Sequence, residues 1–198
     1  MNAFLLIILA CALYGFLHSL LAARWLKTWV RYRWGDGFFR WYRLIYNLIA
    51  SLTFFPILAV LAWLPDRTLY VIPFPWWLIT GFIQLLAVGV MFLALVQSGL
   101  MSFLGLDAFL DTSSPVNQKL VVSGLYAWVR HPIYTAGLVF LWLTPILTHN
   151  LLALNIGLTL YLLIGAWLEE RKMVAEFGEA YRQYQQRVPM LVPYRIPK

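Results

Sequence analysis

The chain has 198 residues, of which 62% are hydrophobic and 17% aromatic, and its mean hydropathy is +0.74. Charged residues make up 12%, about half of the roughly 25% that a soluble domain carries. This composition excludes a soluble globular protein, a disordered chain and a coiled coil, and it places the chain in a lipid bilayer. The single cysteine excludes an internal disulfide.

Long stretches without Asp, Glu, Lys or Arg predict the membrane-spanning helices. A helix needs about 20 apolar residues to cross a hydrocarbon core about 30 Å thick. The uncharged stretch 131–168 is interrupted by Thr148, His149 and Asn150, so it divides into two short spans that form a helical hairpin. We therefore predict an all-α, polytopic membrane protein of one domain, residues 1–198. Its five spans are expected near residues 2–22, 44–64, 76–97, 132–147 and 151–168.

The cationic residues predict the orientation, because Lys and Arg accumulate in short cytoplasmic loops. All bases except Arg67 fall in the loop 23–43, the loop 98–131 or the tail after residue 168. We expect the N-terminus outside and the C-terminus in the cytoplasm, which means the inner membrane if the source is bacterial. The net charge of +7 is interpreted as this topology signal and as attraction to anionic lipid, not as nucleic-acid binding.

Polar residues at the two ends of the predicted hairpin form the candidate site. Pro132 is expected in the first turn of the fourth span, and the N–H groups after it, together with Arg130, offer an anion site. Because a hairpin returns its ends to one side of the membrane, Glu169 and Glu170 are expected near Arg130 and His131. Two alternatives stay open: a snorkelling arginine beside a capping histidine, and a salt bridge that closes the hairpin.

The tail after the fifth span is predicted to continue as an amphipathic helix. Apolar and aromatic residues recur there at spacings of four, four, three and four. These residues are Met173, Phe177, Tyr181, Tyr184 and Val188. Pro189 is expected to end the helix.

His18, near the end of the first span, is interpreted as a hydrogen-bonding residue between packed helices. Its alternative is haem ligation together with His131. The sequence contains no Cys/His cluster for a metal, no phosphate-binding glycine loop and no nucleophile elbow. No acid or base lies at mid-depth in a predicted span, which argues against a proton-coupled transporter.

An ordered set of motifs runs from Gly124-Leu125-Tyr126 to Val188-Pro189. It contains Arg-His-Pro-x-Tyr, then a hydrophobic stretch, then a pair of glutamates, and it resembles the isoprenylcysteine carboxyl methyltransferase superfamily over roughly residues 115–195. The matching positions are Arg130, His131, Pro132, Tyr134, Glu169 and Glu170. The chain departs at Ala136, where family members often have glycine, and Gly137 follows.

The first third of the chain is similar to bacterial relatives associated with nitrite and nitric oxide reduction or with methylation of small thiols. The segments that carry this weaker resemblance are His18-Ser19-Leu20-Leu21-Ala22 and Tyr42-Arg43-Leu44-Ile45-Tyr46-Asn47.

The main resemblance implies an integral membrane methyltransferase that uses S-adenosylmethionine, bound by the C-terminal hairpin and tail on the cytoplasmic side. The acceptor would enter from the lipid. Catalytic roles are expected for Arg130, His131 and Glu170. Residues expected at the cofactor are Tyr126, Arg130, His131, Pro132, Tyr134, Glu169 and Glu170.

Two other functions remain open at this point. A sterol-reductase-like enzyme would bind a nicotinamide cofactor, and a non-catalytic or haem-associated membrane subunit would use His18 and His131 as ligands. For a methyltransferase, the apolar and aromatic-rich body is compatible with a prenylated peptide, a lipid, a quinone precursor or a small thiol as acceptor.

Overall fold

Membrane-length helices dominate the computed structural model, which describes residues 2–109 and 120–194. Within these ranges, four helices are long and apolar enough to cross a membrane, which confirms a mostly helical, polytopic membrane protein. They are α1 (Ala3–Ala22), α3 (Tyr42–Trp63), α4 (Trp76–Ser98) and α7 (His149–Phe177). The bases Lys119, Arg195 and Lys198 and the positions 115–119 of the family-like segment lie outside the described residues.

The fourth predicted span, 132–147, is a shorter helix in the structure. This helix, α6 (Pro132–Trp142), has 11 residues and is about 17 Å long at 1.5 Å per residue. It ends early because Pro145 cannot donate a backbone hydrogen bond and disfavours helix at the residue before it. Strand β2 (Ile146–Thr148) follows and pairs with β1 (Thr68–Val71), a short sheet that the sequence did not predict.

The segment 23–43, predicted as a loop, contains helix α2 (Arg24–Phe39). No proline or glycine interrupts its first 11 residues, 24–34, so the helix continues until Gly35, whose φ of 75° breaks the regular geometry. The segment 98–131, also predicted as a loop, contains the short helix α5 (Leu100–Leu104) and two 3₁₀ turns, Leu106–Phe109 and Gly124–Ala127.

The predicted continuous tail helix is wrong, because Gly178 divides it. Helix α7 extends past the predicted end at residue 168 to Phe177, and Gly178 then takes a left-handed φ of 58°. Helix α8 (Glu179–Arg187) follows. Tyr181 and Tyr184 are therefore on a helix separate from Met173 and Phe177, and both tyrosines are buried.

The chain divides into two compact groups of residues. The first group lies within Met1–Arg67, Gly99–Pro115 and Thr148–Tyr161, and the second lies within Thr68–Ser98, Val116–Leu147 and Leu162–Lys198. In the first group, a core joins residues of α1, α3 and the beginning of α7, namely Ile7, Cys11, Ile57, Ala153 and Leu154. In the second group, α4 packs along α6. A single functional domain stays a prediction.

Two glycines allow close approaches in the first group. A Cβ on Gly157 would lie 2.8 Å from the Sγ of Cys11, so α7 and α1 approach more closely than larger residues would permit. A Cβ on Gly105 would overlap the backbone nitrogen of Leu44, and Gly105 has a φ of 78°. The end of α5 is thus packed against the beginning of α3 at a position that only glycine fits.

We expect Gly105→Ala to destabilise the protein by at least about 2 kcal/mol, because a left-handed alanine costs about 1–3 kcal/mol before the overlap with Leu44 is counted. Gly89→Ala is the matched control, since Gly89 lies inside α4 with nothing within 4 Å of an added Cβ. That control should keep or raise stability by up to about 1 kcal/mol. Thermal unfolding in detergent, followed by tryptophan fluorescence, measures both variants. Equal midpoints for the two would contradict the packing at Gly105.

Candidate active site

The second group brings the predicted site residues together. Arg130 and His131 stand just before α6, and Glu169 and Glu170 lie on the second half of α7. Helix α8 contributes further polar side chains to the same place. The expected meeting of the two hairpin ends is therefore present in the structure, although α6 is shorter than predicted.

The carboxylate of Glu170 is the centre of this site, and Glu170 is only 7% exposed. Arg130 binds it in a bidentate manner: Nε donates to Oε1 at 2.9 Å and Nη2 donates to Oε2 at 2.8 Å. Paired, charge-assisted hydrogen bonds of this kind are about twice as strong as neutral ones and fix the relative orientation of both planes. The buried ion pair thus joins the start of α6 to α7.

Three more donors reach the same carboxylate. His131 Nε2 lies 2.8 Å from Oε1, the Tyr181 hydroxyl donates to Oε1 at 2.7 Å, and the Gln185 side-chain amide donates to Oε2. A carboxylate offers about four lone-pair positions, and five hydrogen bonds now point at them. The acceptor capacity of Glu170 is therefore saturated by the protein itself.

Sequence reasoning missed Tyr181 and Gln185 as members of the site. The apolar periodicity of the tail marked Tyr181 only as a packing residue, and Gln185 carried no signal. Both reach Glu170 because Gly178 turns the chain before α8 begins. That turn is a feature of backbone geometry, and a glycine in the sequence does not specify its direction.

The chain after α8 is fastened to the beginning of α6. Arg130 Nη1 donates to the carbonyl oxygens of Gln185, at 3.1 Å, and of Val188. The backbone N–H groups of Arg130 and His131 donate to the carbonyls of Pro189, at 2.9 Å, and Met190, at 3.1 Å. We name residues 188–191 the tail segment. Four of the five guanidinium N–H groups of Arg130 are thus engaged by Glu170, Gln185 and the tail segment.

Burial and hydrogen bonding shift the pKa values of Arg130, Tyr181 and Tyr184 in this cluster. Burial by itself would lower the pKa of Arg130, but the hydrogen bonds and the negative charge of Glu170 outweigh burial and raise it above its ordinary value. Burial, followed by the hydrogen bond to Glu170, raises the pKa of Tyr181 far above its usual range. Burial also raises the pKa of Tyr184. Arg130 stays a cation and both phenols stay hydrogen-bond donors near neutral pH.

Glu169 differs from its neighbour in exposure and in partners. Its side chain is 46% exposed, and its Oε2 accepts a 2.8 Å hydrogen bond from the Tyr134 hydroxyl. His131 Nδ1 lies 3.8 Å from the same oxygen. The rings of His131 and Tyr134 are stacked with centroids 5.3 Å apart and planes within 3°. A half-exposed carboxylate therefore stands beside two parallel aromatic faces.

The contacts of His131 define its tautomer. Glu170 is an acceptor, so the 2.8 Å contact requires a proton on Nε2. In the neutral imidazole, Nδ1 then carries the lone pair, and it is Nδ1 that faces the half-exposed Glu169. The ring is held by the buried Glu170 carboxylate on one side, and its other nitrogen lies 3.8 Å from Glu169 Oε2.

The remaining predicted residues have supporting positions. Tyr126 accepts a 2.6 Å hydrogen bond on its carbonyl oxygen from the Tyr184 hydroxyl, which joins it to α8. Pro132 is the first residue of α6, as predicted, and Ala136 is buried at 4% exposure. In the first group, His18 is hydrogen-bonded to Tyr46 and packs edge-on against Tyr161, with centroids 5.5 Å apart.

A small apolar cavity lies beside this cluster, within the second group. Val129, Pro132 and Thr135 line it from the start of α6 and the residue before Arg130. Leu125, Trp128, Val90 of α4 and Pro193, just after the tail segment, form the rest of its wall. Its volume is about 220 Å³.

The chain is similar in sequence to known methyltransferases. The sequence profile of the phospholipid methyltransferase family matches residues 76–180. Methanethiol S-methyltransferase 2 of Bradyrhizobium diazoefficiens is 32% identical over 204 residues, which cover 97% of this chain and 74% of that protein. No solved structure matches the chain.

Other relatives match a shorter part of the chain. Methanethiol S-methyltransferase 1 of Bradyrhizobium diazoefficiens is 46% identical over 71 residues, which are 36% of this chain and 25% of that protein. The protein-S-isoprenylcysteine O-methyltransferase of Homo sapiens is 33% identical over 78 residues, or 38% of this chain and 28% of that protein. With more than half of its length matched by the family profile, the chain belongs to the phospholipid methyltransferase family, which confirms its resemblance to the isoprenylcysteine carboxyl methyltransferase-like membrane methyltransferases.

Proposed function

We propose that the protein is an integral membrane methyltransferase that transfers a methyl group from S-adenosylmethionine to a small, apolar thiol. The observation that carries this proposal is the pairing of a saturated, buried Glu170 with a half-exposed Glu169 beside the stacked rings of His131 and Tyr134. The family profile covers all four residues. The sterol-reductase-like and haem-associated alternatives have no comparable support from the relatives.

The groups around Glu169 fit the chemistry of the methyl donor. Its carboxylate can accept hydrogen bonds from an amino group or from ribose hydroxyls, and the half-buried Tyr134 ring can stack on a purine or attract a sulfonium. Bound S-adenosylmethionine supplies an electrophilic methyl group on a cationic sulfur. We therefore assign ligand binding to Glu169 and Tyr134, with the buried His131 Nδ1 3.8 Å from Glu169.

Arg130 and Glu170 receive a positioning role in this proposal. Five hydrogen bonds to Glu170 leave its oxygens no room to bind a ligand or to take a proton from one. Arg130 uses most of its donors on Glu170 and on backbone carbonyls. Their part in the reaction is to hold His131 in one tautomer and to keep α6, α7 and α8 together.

His131 is the candidate general base for a thiol acceptor. Its Nδ1 lone pair can take the S–H proton, and the Glu169 carboxylate 3.8 Å away stabilises the imidazolium that results. Glu170 keeps Nε2 protonated throughout, much as a buried aspartate orients the histidine of a hydrolase triad. A carboxylate acceptor would need no base. Loss of activity on substitution of His131 therefore indicates a thiol acceptor, and retained activity indicates a carboxylate acceptor.

The small cavity favours a small acceptor. Its volume of about 220 Å³ is below the roughly 300–1,000 Å³ of pockets for drug-sized ligands, and Val90, Val129 and Pro132 give it apolar walls. Methanethiol, named in several relatives, is an acceptor of suitable size and polarity.

We also propose the orientation expected from the charges, with the N-terminus outside and the site on the cytoplasmic side, where the soluble methyl donor is available.

Binding of S-adenosylmethionine to the detergent-purified protein, measured by calorimetry, tests the function directly. We expect saturable binding by the wild type and about tenfold to hundredfold weaker binding by Glu169→Gln, because a hydrogen bond to a charged group contributes about 1.5–3 kcal/mol. Glu176→Gln is the matched control, since Glu176 is exposed elsewhere on α7. No binding by a folded wild type, or equal losses in both variants, would reject the proposal.

The variant His131→Gln tests the general base, since its amide can still donate to Glu170. With methanethiol as acceptor, we expect kcat to fall by about 10²–10⁴-fold at pH 7, while S-adenosylmethionine still binds. The deficit should shrink as the pH rises, because the thiol then ionises without assistance. A constant deficit at every pH, measured as product formation in reconstituted vesicles, would exclude His131 as the base.

The variant Glu170→Gln tests the positioning role. Removing one partner of a buried ion pair leaves the other charge uncompensated, and Arg130 is 10% exposed here, so we expect a loss of about 3–5 kcal/mol of stability. Glu169→Gln should change the thermal midpoint little. If Glu170→Gln unfolds at the wild-type temperature and Glu169→Gln unfolds at a lower one, the positioning role belongs to Glu169 and the proposal for Glu170 is wrong.

A further inference from the structure

The first group of residues contains a second, larger cavity, formed by α1, α3 and α5. Its volume is about 410 Å³, and Tyr14, Phe103 and Leu104 form the sides that do not belong to α3. The α3 residues of its lining are Asn47, Ala50, Ser51, Phe54, Phe55 and Leu58. All of the lining residues belong to the first group, so this cavity is distinct from the candidate active site in the second group.

The cavity is a groove along one face of α3. Its α3 residues recur at helical spacing, and the row extends backwards to Arg43, one turn before Asn47. From Asn47 to Leu58 the groove covers about 16 Å at 1.5 Å per residue. It therefore has the length and the direction of an extended alkyl chain that runs from one end of a membrane-spanning helix towards its middle.

Polarity changes along this groove. Asn47 and Ser51 provide polar groups towards its first half, whereas Phe54, Phe55 and Leu58 are apolar, and Tyr14 of α1 packs against Phe54. Asn47 lies about 8 Å from the start of α3, at the depth where the polar part of a bilayer meets the hydrocarbon. Phe55, 62% exposed, and Leu58, 40% exposed, lie farther along the helix. The groove thus matches an amphipathic molecule with its head at the beginning of α3.

Positive charge accumulates at the polar end. Arg43 lies there, with Nη1 donating to the backbone and side-chain oxygens of Ser102 at 2.7 and 2.6 Å. The preceding helix α2 adds bases against the single acid Asp36. The bases of α2 are Arg24, Lys27, Arg31 and Arg33, and Arg40 follows directly after the helix. Exposed aromatic residues of α2, such as Trp25 and Trp29, are typical of helices that lie at the membrane surface.

We propose that this groove binds one acyl chain of an anionic phospholipid, whose phosphate lies against Arg43 and the bases of α2. Charge complementarity selects the headgroup, since bases near the membrane surface attract anionic lipid. The polarity of the groove places the ester region at Asn47 and Ser51 and the chain along Phe54, Phe55 and Leu58. No residue of the candidate active site lines the groove, so this proposal does not rest on the proposed methyl transfer.

The test measures lipid retained by the delipidated full-length protein in a neutral detergent. Phosphatidylglycerol and phosphatidylcholine are added separately, and bound lipid is counted by native mass spectrometry. We expect about one tightly held phosphatidylglycerol, at least tenfold preferred over phosphatidylcholine, and a thermal midpoint that rises only with the anionic lipid. Equal retention of both lipids, or no retention of either, would overturn the proposal.

Two variants that fill the groove, Ala50→Phe and Ser51→Phe, locate the site. Leu48→Phe is the matched control, because Leu48 is exposed on α3 but does not line the groove. Both filling variants should lose the retained phosphatidylglycerol and the thermal shift, while Leu48→Phe keeps them. Arg43→Gln should abolish the preference for the anionic lipid. If a filling variant that unfolds at the wild-type temperature still retains phosphatidylglycerol, the groove is not the site.

Discussion

The buried carboxylate of Glu170 is the constraint on which the second group of residues depends. A charge removed from water is costly unless it is paired and fully hydrogen-bonded, and Glu170 meets this requirement only when α6, α7 and α8 are all in place. Arg130, held by that charge, in turn binds carbonyls of α8 and the tail segment. The Glu170 carboxylate therefore fixes the relative positions of α6, α7, α8 and the tail segment. Apolar packing alone is not directional and would define these positions less well.

The adjacent Glu169 and Glu170 have different surroundings because consecutive residues of a helix point about 100° apart. Glu170 faces the cluster with its side chain 9% exposed, and Glu169 stands at the edge with its side chain 46% exposed. The pair connects through His131, whose two ring nitrogens contact one glutamate each. The positioning role proposed for Glu170 and the ligand-binding role proposed for Glu169 are thus one residue apart on α7, and His131 contacts both carboxylates.

The sequence predicted the parts of this structure that follow from hydropathy and from chain reversal. Four spans, and the proximity of Arg130 to Glu170, required only apolar lengths and a hairpin. The end of α6 at Trp142, the helix within 24–39 and the break at Gly178 depend on local backbone geometry that a hydropathy pattern does not contain. Tyr181 and Gln185 were missed for the same reason, since the break at Gly178 decides which face of α8 meets Glu170.

The proposed reaction joins a charged, water-soluble donor to an apolar acceptor, and the site's position suits that pairing. The polar cluster lies where α6 begins and where the apolar part of α7 ends, so a charged ligand need not enter hydrocarbon to reach Glu169. The small cavity beside it is lined by Val90 of α4, an apolar helix most of whose side chains are not buried inside the protein. An acceptor dissolved in the bilayer can approach from that side. In the proposed reaction, the charged donor therefore reaches the site from water and the apolar acceptor reaches it from lipid. The two substrates are kept apart by the membrane itself.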